Sequence, residues 1–74
     1  MPSDARRNMK ARFFELRAYV RLARNDVPGA TADLETSISL WPMKDNGAAT
    51  ALGDLYTKAG RADAKKAMLA HIKS

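Results

Sequence analysis

Residues 30–42 read ATADLETSISLWP, which is the pattern of an amphipathic helix followed by its end. Ala30, Leu34 and Ile38 recur every four residues, so they fall on one side of an α-helix. Trp41 extends the same apolar stripe, and we expect it in the core. Pro42 ends the segment, because proline disfavours the helical conformation of the residue before it.

Capping residues indicate the limits of this helix and of three others. Asp26 is suited to cap the free amide groups of the first turn, and Pro28 is tolerated in that turn because no donor is needed from its nitrogen. Gly60 is typical of the left-handed residue just past a helix end. No alternating β-branched run occurs in the chain. The predicted helices run from about 4 to 24 after an N-cap at Ser3, from Asp26 to Trp41, from a cap at Asp45 or Asn46 to Gly60, and from about 62 to 73.

Similar landmarks recur about 35 residues apart along the chain. The corresponding pairs are Ala18 with Gly53, Asn25 with Gly60, and Ala30 with Ala64 or Lys65. A period of this length is typical of helix-turn-helix repeats. We therefore expect an all-α chain built of two helix pairs.

The residues at these landmarks resemble the tetratricopeptide repeat family over about residues 12–72. The segment Leu52-Gly53-Asp54-Leu55-Tyr56 is similar to the Leu-Gly-x-x-Tyr part of the family's first helix. The spacing of Ala30, Leu34 and Pro42 is similar to its second helix. The resemblance implies one domain in which antiparallel helix-turn-helix pairs stack as a short array, with repeat one at about 4–42 and repeat two at about 45–73.

The chain departs from the family pattern at several positions. Ala49 stands where the family has Trp, and Arg17 and Arg21 stand where its Leu and Tyr would fall in the first repeat. The last helix is also out of step by one residue. Because three or more repeats are normally needed to bury a continuous core, we expect a piece of a longer array, a self-associating chain, or a module completed by its partner.

The first helix carries two apolar stripes. One contains Met9, Phe13, Leu16, Val20 and Ala23, and the other contains Ala11, Phe14, Ala18 and Leu22. A helix with two apolar stripes requires two neighbours. The small residues Ala11 and Ala18 would let one neighbouring backbone approach closely.

The composition argues against an enzyme. The chain has 74 residues, no cysteine, one histidine and four glycines, and it contains no phosphate-binding loop, nucleophile motif or metal-ligand spacing. We expect no catalytic residues, no cofactor and no metal. No apolar run approaches the roughly 20 residues that span a bilayer. We expect a soluble protein, cytoplasmic rather than periplasmic unless it belongs to a longer exported chain.

The function predicted from the resemblance is a scaffold or protein-interaction module that binds a protein or peptide partner on the wall of the first and third helices. On the first helix the wall residues lie between the two apolar stripes, and on the third they lie on the face away from Leu52 and Leu55. They are Arg12, Glu15, Tyr19, Thr50, Asp54, Thr57 and Lys58. Tyr19 is the strongest single candidate, because aromatic residues with a hydroxyl are frequent interface anchors.

The alternative prediction is a basic module that binds nucleic acid or an anionic membrane surface. Residues 1–24 carry a net charge of +5, residues 25–55 of −4, and residues 56–74 of +4. On the first helix a basic ridge spans about 60° of arc and about 27 Å. It consists of Arg6, Lys10, Arg17, Arg21 and Arg24. Aromatic residues do not interleave with the ridge, and an ordinary solvated face or a dock for the acidic segment of a neighbouring copy would explain it equally well, so we favour the protein partner.

Overall fold

The fold is all-helical, as the sequence predicts. A computed structural model describes residues 2–72, with side chains from Ser3 onward. Over these residues there are four α-helices and no β-strand. They are α1 (Pro2–Ala23), α2 (Val27–Leu40), α3 (Ala48–Lys58) and α4 (Ala62–His71). The predicted end of the last helix at residue 73 lies outside the described residues.

The helix starts follow from local capping. Asp26 caps α2, because its Oδ1 accepts a hydrogen bond from the Gly29 amide at 3.0 Å. The N-cap position of α3 is Gly47 rather than the predicted Asp45 or Asn46. Asn46 lies one residue before it, and its Oδ1 accepts a hydrogen bond from the Ala48 amide at 2.9 Å. In contrast, α1 begins at Pro2 rather than after Ser3, because proline is preorganised for the first helical turn.

The turns that end α1 and α3 have the same backbone geometry. Asn25 and Gly60 both adopt the left-handed conformation, with φ of 62° and 69°. After α1 the Asp26 amide donates to the Arg21 carbonyl at 2.8 Å, and after α3 the Arg61 amide donates to the Tyr56 carbonyl at 2.8 Å. Every partner in the second turn lies 35 residues after its counterpart in the first. The spacing predicted from the sequence is therefore present in the backbone of the two turns, each of which joins two helices as a hairpin.

The helices pack in chain order, α1 on α2, α2 on α3 and α3 on α4. The result is a flat body of 38 × 27 × 14 Å. Leu34 and Leu52 are the largest fully buried apolar side chains. The remaining members of the core are smaller or only just buried, and they are Ala18, Ala30, Ile38, Ala48, Tyr56 and Met68.

A buried polar connection joins α1, α2 and the start of α3. The Ser37 hydroxyl donates to the Ala11 carbonyl at 2.7 Å. The Asn46 amide nitrogen lies 3.2 Å from the Ser37 hydroxyl and 3.0 Å from the Trp41 carbonyl, to which it donates. Because these groups are paired with one another, their burial does not leave unsatisfied donors at the helix junction.

Only one of the two apolar stripes of α1 is buried within the described residues. Ala11 and Ala18 face α2 at 3% and 0% exposure, which fits the close approach expected for small residues. The other stripe lies open to solvent, with Phe13 56% and Val20 51% exposed. The predicted neighbour is therefore present on the stripe of Ala11 and Ala18. Within residues 2–72 no helix covers the stripe of Phe13 and Val20.

No helix within residues 2–72 is both long enough and apolar enough to span a bilayer.

Candidate functional site

Three of the predicted wall residues form one polar cluster on α1. Glu15 is only 4% exposed, which corrects the expectation of an exposed side chain. Its carboxylate accepts hydrogen bonds from Arg12 at 2.9 Å and from the Tyr19 hydroxyl at 2.6 Å. Partial burial and the bond to Glu15 raise the pKa of Tyr19 to about 12. The cluster therefore holds the Tyr19 ring in a fixed position at the surface.

Gly47 allows this cluster to lie against the start of α3. A Cβ atom at this position would lie 2.7 Å from Glu15 Oε2, closer than the two groups can approach without a shift. The absence of a side chain at residue 47 lets the carboxylate of α1 approach the amino end of α3. There the partial positive charge of the helix favours it. In the sequence, this contact is marked only by a glycine at the start of a helix. A glycine alone does not identify Glu15 as the group that approaches it.

A small cleft of about 90 Å³ lies beside the cluster, between α1 and the loop that follows α2. Arg12, Glu15 and Trp41 line it, together with Asp45. Trp41 is half-buried here rather than in the core, and its Nε1 donates to Asp45 Oδ1 at 2.9 Å. The guanidinium of Arg7 lies 6.0 Å from the centre of its ring. Trp41 therefore belongs to a polar surface cleft, and the prediction of a core position was wrong.

The predicted wall residues on α3 lie on a different cleft. Thr50, Asp54 and Lys58 are exposed, and the first two line a cleft of about 220 Å³ between α3 and α4. The hydroxyl of Thr57 donates to the Gly53 carbonyl at 2.9 Å and lies 3.2 Å from Lys65 Nζ, whose proton it accepts. The two halves of the wall therefore present side chains on two helices without sharing one pocket.

Two members of the predicted basic ridge are engaged within the fold. Arg17 binds the carboxylate of Asp33 through two hydrogen bonds, of 2.9 and 2.8 Å. Arg21 lies 3.1 Å from the same carboxylate and 3.2 Å from Asp26. The hydrogen bonds from Arg17, then the positive charges of both arginines, lower the pKa of Asp33. The ridge of five cations is thereby reduced to Arg6, Lys10 and Arg24, which form no ion pair with any described residue.

These charged residues occupy positions that are apolar in the second hairpin. The residues 35 positions after Arg17, Arg21 and Asp33 are Leu52, Tyr56 and Met68. The later three are all buried in the core. An ion-pair triad in the first hairpin thus stands where the second has an apolar triad. An alignment of the two halves contains this signal, because it places two arginines and one aspartate at three core positions.

An apolar groove of about 410 Å³ runs between α2 and α4 on the face of α3. Ile38, Tyr56 and Met68 line it, and the Tyr56 hydroxyl donates to Glu35 Oε2 at 2.6 Å. Burial and this bond raise the pKa of Tyr56 to about 12. The sequence does not reveal this groove, because it forms between two helices that are not neighbours in the chain.

Within the described part of the chain, no three histidine, cysteine or acidic residues are grouped as a metal site. No protein-family model, curated protein or solved structure matches the sequence or the fold of this chain.

Proposed function

We propose that this chain is a non-catalytic protein-interaction module. Its binding surface is the wall of α1 and α3 that contains Arg12, Tyr19 and Asp54. The partner is an extended segment of another protein, which is the type of ligand that the resemblance to tetratricopeptide repeats implies. Thr50, Thr57 and Lys58 belong to the α3 half of this wall, which lies beside a separate cleft between α3 and α4, and the buried Glu15 supports the α1 half.

The observation that carries the proposal is the position of Tyr19. The residue is 39% exposed, while its hydroxyl is bound to the buried carboxylate of Glu15. A side chain that is already ordered loses little conformational entropy when a partner covers it. Tyrosine also offers apolar area and a polar group together, a combination enriched among interface anchors.

The charges on the wall support a polar, mixed-charge ligand. Arg12 on α1 keeps 62% of its side-chain surface while bound to Glu15. Asp54 occupies the α3 position equivalent to Tyr19, 35 residues later, and Lys58 follows one turn beyond it. An extended peptide that crosses from α1 to α3 would meet an arginine, an aromatic ring, a carboxylate and an amine in succession.

A peptide selection followed by affinity measurements tests this proposal. Peptides selected on the 74-residue chain are titrated against Tyr19→Ala and Asp54→Asn. Their matched controls are Val27→Ala and Asp63→Asn, which also replace exposed side chains but lie outside the wall. We expect Tyr19→Ala to weaken binding at least about tenfold, as loss of an anchor residue does. Binding that is equal in Tyr19→Ala and in Val27→Ala would refute the proposal that the wall binds the partner.

A second candidate function is binding to a nucleic acid or an anionic membrane surface. It is favoured by one observation, the absence of ion-pair partners for Arg6, Lys10 and Arg24 among residues 2–72. If these three residues contact three phosphates, a plot of log K against log salt concentration should have a slope of about −3. Lys10→Gln should reduce this slope, whereas Lys66→Gln on α4 should not. An unchanged mobility of DNA and RNA and no binding to anionic vesicles at low salt would eliminate this function.

A further inference from the structure

The exposed apolar stripe of α1 forms a surface separate from the wall. We name it the outer α1 face, and it consists of Met9, Phe13, Leu16 and Val20. These side chains are 71%, 56%, 47% and 51% exposed, respectively. At a helical rise of about 1.5 Å per residue, the stripe from Met9 to Val20 is about 17 Å long. Four large apolar side chains on one exposed face are characteristic of an interaction surface.

The second hairpin shows what covers the equivalent face. The residues 35 positions after Phe13, Leu16 and Val20 are Ala48, Ala51 and Leu55 on α3. Ala48 is fully buried, and the other two are half-buried against the same core. Because α3 packs on α2, a helix from the preceding hairpin lies against α3. The first hairpin has no such helix among the described residues.

The charges beside the outer α1 face specify an acidic occupant. Arg6, Lys10 and Arg24 lie along one edge of the stripe and form no ion pair with a described residue. The helix that covers α3, Val27–Leu40, contains two carboxylates and no lysine or arginine. On its inner side, α1 already binds the carboxylate of Asp33 in that same helix. Within this molecule the basic helix therefore pairs with an acidic one.

A second copy of the chain does not satisfy these charges, because four of the five carboxylates in its acidic segment, residues 25–55, are already hydrogen-bonded within its own fold. Residues 1–24 carry a net charge of +5, so two outer α1 faces placed against each other would repel. The opposite end of the molecule, residues 56–74, carries +4 and would repel the outer α1 face as well. A partner with its own carboxylates avoids both of these electrostatic repulsions.

We infer that the outer α1 face docks an acidic amphipathic α-helix of another polypeptide. Its apolar side covers Phe13 and Val20, and its Asp or Glu residues lie opposite Arg6, Lys10 and Arg24. This occupant has the same chemistry as α2 in its position against α3. The inference goes beyond the wall proposed above and does not depend on it.

The test uses a helical peptide of about 18 residues, long enough to cover the stripe. The peptide carries leucines on one face and glutamates beside them, and its control replaces every glutamate with glutamine. Both are titrated against the full chain by fluorescence polarisation. We expect the glutamine peptide to bind at least about tenfold more weakly, because it cannot pair with the basic edge.

Matched variants locate the binding surface. Phe13→Ser and Lys10→Glu should each weaken binding of the glutamate peptide by about tenfold or more. Leu69→Ser and Lys66→Glu remove equally exposed groups from α4 and should change it by less than about twofold. Tyr19→Ala should also leave binding within about twofold, which separates this surface from the wall. Circular dichroism of each variant verifies that the chain remains folded.

Three results would overturn the inference. The first is equal binding of the glutamate and glutamine peptides, or binding that is insensitive to Phe13→Ser. The second is a dimer in analytical ultracentrifugation that Phe13→Ser dissociates, which would assign the face to a second copy. The third is binding to vesicles containing phosphatidylserine that requires Phe13 and Lys10, with no binding of the peptide.

Discussion

The carboxylate of Asp33 shows how single residues determine this fold. It is 5% exposed and lies on α2, where it binds Arg17 and Arg21 of α1. The sequence revealed both arginines as departures from an apolar pattern. It did not reveal their partner, because the residues are 16 and 12 positions apart and meet only when the hairpin closes.

The first prediction concerns acid stability. The folded pKa of Asp33 is lowered, so the charged form contributes stability above the unfolded pKa of about 3.9, and this contribution is lost as the pH falls through the folded pKa. Asp33→Asn should therefore lower the unfolding free energy at neutral pH by about 1–3 kcal/mol and flatten its decline in acid. Urea titrations at several pH values provide the measurement.

Asp54→Asn is the control for this prediction, because Asp54 is exposed on α3. It should retain the full decline of stability in acid. The role assigned to Asp33 is wrong if the Asp33→Asn and wild-type curves remain parallel down to acid pH.

The second prediction concerns the two tyrosines of the chain. Tyr19 and Tyr56 both have a pKa raised to about 12 by burial and by a carboxylate. Phenolate absorbance should therefore increase well above pH 10 in the folded chain and near pH 10 in urea. Because the folded pKa is the higher one, stability is full below about pH 10 and decreases as the pH rises toward 12. Glu15→Gln should lower the pKa of Tyr19 alone, and a shift of both tyrosines would contradict the assigned hydrogen bonds.

The helices themselves were predictable from their ends. The cap at Asp26, the proline in the next turn and the left-handed Gly60 are local signals, so they fix α2 and the end of α3 without tertiary information. The choice between the two stripes of α1 was not predictable in this way. Both stripes have helical periodicity, and only the position of α2 determines that Ala18 is buried while Phe13 is exposed.

The third prediction follows from the equivalence of Ala18 and Gly53 within their helices. A Cβ atom added at Gly53 would meet Lys65 Cε at 3.5 Å and Met68 Cε at 3.7 Å, which are ordinary contacts. Gly53→Ala should therefore stabilise the chain by about 0.5–1 kcal/mol through helix propensity. Gly60→Ala serves as the contrast. It should destabilise by about 1 kcal/mol, because residue 60 has a φ of 69°. Thermal unfolding measures both, and a Gly53→Ala variant that is less stable than wild type would contradict the packing described between α3 and α4.

Across the whole molecule, the two hairpins pack their helices together through different types of contact. In the first, α1 and α2 are joined by an ion-pair triad, and in the second, α3 and α4 meet through apolar side chains. The 35-residue spacing was visible in the sequence, and the backbone turns follow it. Stacking of the hairpins as a tetratricopeptide array remains a prediction from the residues.

The fourth prediction concerns replacement of the ion-pair triad of the first hairpin with the apolar triad of the second. Asp33→Met alone should destabilise the chain by about 1–3 kcal/mol, because it leaves two arginines without their carboxylate partner. The triple variant Arg17→Leu, Arg21→Tyr, Asp33→Met reproduces the triad of the second hairpin, and we expect it to be at least as stable as wild type. Urea unfolding compares the two. A triple variant less stable than Asp33→Met would show that the two hairpins are not equivalent.

The central claim is that the second hairpin has a helix against its first helix, whereas the equivalent face of α1 is open. Thiol labelling of Phe13→Cys and Ala48→Cys tests this claim most directly, because the natural chain has no cysteine and the two positions are 35 residues apart. We predict that the thiol at residue 13 reacts at nearly the rate of an unfolded chain, while the thiol at residue 48 is protected until the helices open. Equal protection at both positions, or faster labelling at residue 48, would contradict the claim.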